Sequence, residues 1–91
     1  MKFSFGQTVF TMGISNACEK SYKFFVEVLE ALNRYAKCDW GDLCDEDKQV
    51  NEDALVNGYR ILAKYETSEG PIYIITEWDR SVTTVLFTDE Y

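Results

Sequence analysis

The 91-residue chain contains no histidine and a single proline, Pro71. Lysine and arginine together number 9, against 16 aspartates and glutamates. Each shortage excludes something. Without histidine the commonest general base near neutral pH is missing, and so is the commonest metal ligand. Three cysteines (Cys18, Cys38 and Cys44), an odd number with no Cys-x-x-Cys spacing, fall short of the four Cys/His ligands of a structural zinc site. They read instead as small, partly buried apolar residues in a reducing compartment. No run of residues approaches the ~18 apolar positions that a membrane span needs. The opening "MKFSFGQTVF" has no long apolar core and no cleavage-site pattern, so no signal peptide is expected. The expectation is a cytoplasmic protein without metal or other cofactor.

The shortage of basic residues leaves a formal charge of −7, and the bases present are scattered from Lys2 to Arg80 without forming a patch. Such a field repels phosphates, which disfavours direct nucleic-acid binding, and it attracts a protein partner with a basic surface. The plain competing reading is that moderate negative charge only aids solubility.

What is abundant is apolar and aromatic. A hydrophobic share of 46% with 15% aromatics is too rich for a disordered chain. Residues 1–91 therefore form one domain, burying roughly 60–65% of the unfolded surface. "GQTVFTM", residues 6 to 12, carries β-formers in weak alternation and reads as a short strand that Gly13 ends. Ser15 or Asn16 then caps a helix, and because Ser21 can start a fresh turn, residues 15 to 37 are one helix or two. Within them Tyr22, Phe25, Val26, Leu29, Leu32 and Tyr35 recur at helical spacing, with Phe24, Val28 and Ala31 as a second stripe. Either this helix is packed on two sides, or one stripe of Tyr22–Tyr35 is a homodimer or partner surface.

Beyond "CDWGDL", Asp45 suits a helix N-cap, and Glu46 and Asp47 lie in the first turn, where negative charge is favoured. Val50, Ala54 and Leu55 form its buried stripe, and Gly58 ends it. The period then changes to two. "YRILAKYE", "PIYIITEW" and "VTTVLFT" are strands joined by connections short enough to force a three-stranded antiparallel meander. A three-residue loop in the last hairpin sets Thr76 opposite Thr84 and Ile74 opposite Leu86. Helices and a short strand packed on such a meander make an α+β domain.

Two polar concentrations are candidates for function. From Asp39 to Asp53, seven carboxylates (Asp39, Asp42, Asp45, Glu46, Asp47, Glu52 and Asp53) stand against one lysine, a net −6 out of −7. As a calcium loop the stretch fails, because Val50 stands where the turning glycine is needed. As a catalytic carboxylate pair it lacks any sign of a buried member, so no enzymatic activity is expected. As a surface imitating a phosphate backbone it fits an arginine-lined groove. The plain alternative is a capped and solvated helix start. Trp40 is either the aromatic pin of this loop or an exposed interface anchor. In "TEWDRSVTT" the hairpin tip exposes Arg80, with Glu77 and Asp79 beside it to hold it for a partner, or else these residues serve only turn chemistry.

"DWGDL", "DEDK", Asn51, Gly58, "IITEWDRSVTT" and the final "DEY" together resemble the small "plasmid-related" proteins of bacterial plasmids, phages and integrative elements. These usually read Gly-Asp-Trp-Gly-Asp, an acidic helix, a Thr-Glu-x-Asp-Arg-Ser-Val-Thr-Thr hairpin and a Glu-Tyr ending. The resemblance covers residues 38 to 91 closely and "GQTVFTMG" loosely. It departs in residues 15 to 37, and Cys38 stands where glycine is common. What it implies is a mobile-element setting, in which small acidic proteins resemble inhibitors of host defence of the anti-restriction or anti-CRISPR kind. The expected activity is non-enzymatic inhibition of a host defence nuclease complex, with Asp39, Trp40, Asp42, Asp45, Glu46 and Asp47 as the contact surface and Glu77, Asp79 and Arg80 as a second edge. The alternative is a regulatory or structural homo-oligomer joined through the aromatic helix 22–36.

Overall fold

The computed structural model describes residues 2–91. Its elements are β1 (Gln7–Phe10), α1 (Met12–Lys20), α2 (Tyr22–Ala36), α3 (Asp45–Asn57), β2 (Ile61–Tyr65), β3 (Ile72–Thr76), β4 (Val82–Phe87) and a terminal 3-10 turn (Thr88–Glu90). The fold is α+β, but the sheet is more than a meander. Its order is β1-β4-β3-β2, and β1 joins β4 in parallel. Local turn signals cannot reveal a pairing between strands some seventy residues apart.

Residues 15–37 form two helices divided at Ser21. The Ser21 hydroxyl accepts from the Phe24 N–H at 3.1 Å, while its own N–H donates to Ala17 O at 3.0 Å, so one residue ends α1 and starts α2. The first helix begins earlier than Ser15. Thr11 is its cap, accepting from the Ile14 N–H, and Gly13 lies inside its first turn.

Of the two apolar stripes of α2, the buried one is Phe24, Val28 and Ala31, joined by Tyr35 from the other, whereas Tyr22 is 80% exposed. The helix is thus packed mainly on one face. With Ile14 these side chains meet Ile61, Ala63, Tyr65, Ile72, Ile74 and Val85 from the sheet. Each large apolar side chain fully buried there contributes about 1.5–3 kcal/mol. Phe24 stacks on Phe87 at 5.5 Å, and Tyr35 meets Phe3 and Trp40 edge-on at 5.3 and 5.7 Å.

The polar groups inside this core form one directed chain. The Tyr35 hydroxyl donates to Thr76 Oγ1 at 2.7 Å, Thr76 and Thr83 share a bond of 2.7 Å, and Thr83 Oγ1 donates to Phe5 O at 2.7 Å. Each threonine hydroxyl gives one bond and takes one, which is what lets two buried threonines sit on the core side of the sheet.

The last hairpin is in a different register from the three-residue expectation. Ile74 faces Val85 and Thr76 faces Thr83, because the loop holds four residues, Trp78 to Ser81. The Glu77 N–H donates to Val82 O, the Arg80 N–H returns to Glu77 O, and Arg80 takes the left-handed backbone at φ 60°. The extra residue shifts β4 by one, so Val85 rather than Leu86 turns to the core beside Ile74.

Candidate functional site

An edge strand presents unpaired N–H and C=O groups on alternate residues, an open template for another chain. Strand β2 ends the sheet on one side, and the outward groups along it belong to Leu62 and Lys64, followed just past its end by Glu66. The acidic segment occupies all three. The Asn51 side chain acts as a short piece of strand, its Nδ2 donating to Leu62 O at 2.8 Å and its Oδ1 accepting from the Leu62 N–H at 3.2 Å. Lys64 O accepts from the Asp42 N–H at 2.7 Å, and the Lys64 N–H reaches Trp40 O at 3.5 Å. The Glu66 N–H donates to Asp42 Oδ2 at 3.1 Å. "DWGDL" and the first turns of α3 are therefore the cover of a sheet edge. Gly41 permits the approach, since its φ is +74° and a Cβ there would fall on Lys64 O.

Much of the acidity in this segment is consumed by that structure. Asp39 takes a two-pronged bond from Arg34, at 2.7 and 3.1 Å, and accepts the Gly41 N–H at 3.1 Å. The guanidinium holds the Asp39 carboxyl below its ordinary range. Arg34 in turn lies 5.1 Å from the centre of the Tyr65 ring, whose hydroxyl donates to Asp39 O at 2.6 Å. Glu52 accepts Trp40 Nε1–H at 2.6 Å, and Asp53 accepts from Gln49 Nε2 at 3.1 Å. Trp40 is 3% exposed. It is a core residue with its one donor occupied, the aromatic pin of this loop rather than an exposed anchor.

Asp45, Glu46 and Asp47 remain. All three are exposed in the first turn of α3, and no hydrogen bond or ion pair to them occurs among the described residues. The cap of the helix is Cys44 rather than Asp45, and it makes no side-chain capping bond. Asp45 instead supplies first-turn charge. Val50, expected in the buried stripe, points outward, and Asn51 takes its place beside Ala54, which is buried as expected. Asp47 and Val50, with Leu43, Asn51, Arg60 and Leu62, line an open cavity of about 280 Å³. That is at the small end of the range for ligand pockets, about 300–1,000 Å³.

The hairpin residues do not form the expected edge. Arg80 is not a free tip. Its guanidinium turns back to Ala54 O (3.1 Å) and Tyr59 O (2.7 Å), closing the carboxy end of α3, and also bonds Glu77 O at 3.2 Å. Asp79 Oδ1 accepts from the Ser81 hydroxyl at 2.6 Å and the Ser81 N–H at 3.1 Å, which lowers its pKa. Neither Glu77 nor Asp79 contacts the guanidinium through its carboxylate, and the tip exposes Trp78 beside Asp79 and Ser81 while Arg80 is half-buried.

The structure thus brings Asp45, Glu46 and Asp47 together at the surface and gives Asp39, Asp42, Trp40 and Arg80 internal work. Sequence reasoning passed over Asn51, Arg34 and Tyr65 as members of the site. Asn51 left a trace: it stands three residues before Ala54, on the one stripe of α3 that is otherwise apolar. No group of three or more His, Cys, Asp or Glu side chains suited to a metal ion occurs among the described residues, and no helix there is long and apolar enough to cross a membrane. No family model, curated protein or solved structure matches the chain.

Proposed function

We propose that this chain is a non-enzymatic, mobile-element-encoded binding protein of the cytoplasm that inhibits a host defence nuclease complex by docking its acidic turn on a basic surface. The observation that carries the reading is the state of Asp45, Glu46 and Asp47: three adjacent carboxylates, exposed and without internal partners, on a helix tied to a sheet edge. Charges held on a rigid element lose little freedom on binding, whereas each isolated exposed pair contributes only about 0–1 kcal/mol. Three together, with Val50 exposed on the same helix, make a small charged patch with apolar content. The mobile-element setting rests on the resemblance of residues 38–91.

The test is capture from host lysate with the wild type and an Asp45→Asn, Glu46→Gln, Asp47→Asn triple variant, under a salt gradient. The expected partner is retained by the wild type, released steeply as salt rises, and not retained by the variant. A partner held equally by both proteins, at high salt, would falsify the electrostatic reading.

A second reading is favoured by one observation. Tyr22 and Leu29 on α2 are exposed large apolar side chains, as a homo-oligomer joined through that helix requires. Leu29→Lys should then reduce the mass in solution.

A further inference from the structure

The two edges of the sheet are treated oppositely. The β2 edge is covered by Asn51, Trp40 and Asp42, as described. Strand β1 closes the sheet order on the other side. The Gln7 N–H donates to Ser81 O at 3.0 Å and the Thr11 N–H to Val85 O at 3.1 Å, so these odd-numbered residues turn their backbone groups toward β4. By strand alternation Thr8 and Phe10 turn theirs outward. Among the described residues no side chain or loop hydrogen-bonds to those outward groups.

Natural edges left bare are usually guarded by charge, proline or a bulge. This one has none. No charged residue and no proline occurs between Lys2 and Glu19, in a chain that is 27% charged. Val9, at the middle of the strand, is 38% exposed, and Met12, just past its end, is 80% exposed.

We propose that β1 is a dimerisation edge: two copies of this chain pair antiparallel through Gln7–Phe10 about a two-fold axis at Val9, joining their sheets into one. The outward groups fall symmetrically about Val9, so the Thr8 of one copy meets the Phe10 of the other and exchanges both main-chain bonds with it. Val9 then faces Val9 of the partner as a close, non-hydrogen-bonded pair. Such self-complementarity is what a two-fold interface demands. Charge selects a second copy over a basic peptide. Strand β1 itself carries no acid, the one carboxylate at its end, Glu90, already accepts from the Thr11 hydroxyl at 2.9 Å and the Phe87 N–H at 2.7 Å, and the carboxylates of α3 lie beyond β2, three strand spacings or roughly 14 Å away. That exceeds the ~10 Å screening length at 0.1 M salt, so the two acidic turns in a dimer scarcely repel each other.

Sedimentation equilibrium of the full chain tests this directly. The wild type should run at twice the chain mass, and Thr8→Pro or Val9→Lys should run as a monomer that still unfolds cooperatively, melting where the wild type does once diluted below its dimerisation range. Thr8→Pro deletes only a donor that points away from β4, in an edge position where proline is tolerated. Val9→Lys sets two ammonium groups against each other on the axis. Amide exchange gives a readout free of substitutions: Thr8 and Phe10 should become protected as wild-type concentration rises. A wild type that stays monomeric up to about 1 mM would overturn the proposal. So would a dimer that survives both substitutions, or one lost only with Leu29→Lys, which moves the contact to α2.

Discussion

Removing the Asn51 amide measures what the edge cover is worth. Asn51 is 3% exposed, and its two bonds satisfy both the N–H and the C=O of Leu62. Asn51→Ala leaves these two groups without partners beneath α3, at about 1–2 kcal/mol each. Alanine offsets about 0.5 kcal/mol of that by its better helix propensity. The net loss is about 1.5–3.5 kcal/mol, out of roughly 5–14 kcal/mol expected for a domain of this length. At about 4–8 °C per kcal/mol, the melting temperature should fall by about 6–28 °C. Urea melts followed by circular dichroism should show a lower midpoint with an unchanged slope. The control is Asn57→Ala in the same helix, whose side chain makes one exposed bond to Asp53 O, and which should change stability by less than about 0.5 kcal/mol. Asn51→Asp adds a signature in pH. It keeps the acceptor for the Leu62 N–H but points a carboxylate oxygen at the Leu62 carbonyl, which favours the protonated acid, so this variant should gain stability relative to wild type as pH falls. If Asn51→Ala and Asn57→Ala melt together, the edge is held by something other than this side chain.

The two substitutions Gly41→Ala and Gly58→Ala share a backbone φ of +74° and differ only in surroundings. At Gly58 nothing lies within 4 Å of the added methyl, so only the left-handed strain of about 1–2 kcal/mol applies. At Gly41 the methyl meets Lys64 O and the Tyr65 ring, and the loss should be larger by about 2 kcal/mol or more, with release of the β2 edge. Equal melting points would show that the "DWGD" loop shifts freely. In alkali, burial raises the Tyr35 and Tyr65 phenols above their ordinary value. The folded state then holds those protons more tightly than the unfolded one, so their contribution is complete below about pH 10 and declines above it. Each accounts for up to about 1.4 kcal/mol per pH unit there. A Tyr35→Phe, Tyr65→Phe double variant should show a flatter loss of stability between pH 10 and 11, and an unaltered slope would refute this assignment.

The sequence by itself determined the elements. Residues 22–36 repeat at helical spacing, Gly58 stops α3 in a left-handed cap, and three alternating runs after it can only be adjacent strands, because those features act over a few residues. It also determined that the charge is concentrated between Asp39 and Asp53. Which of those carboxylates are free was decided by tertiary structure. Asp39 and Glu52 found their partners in Arg34 on α2 and in the buried Trp40 ring, and Asp42 found its own across the chain at Glu66. The parallel docking of β1 on β4 and the one-residue shift of the last hairpin were likewise invisible. The first depends on strands distant in the chain, and the second on a single residue, Arg80, taking a left-handed backbone while its guanidinium closes another helix. Short-range periodicity specifies what each segment becomes. Which acid remains exposed, and which sheet edge remains open, depends on neighbours that only folding brings into contact.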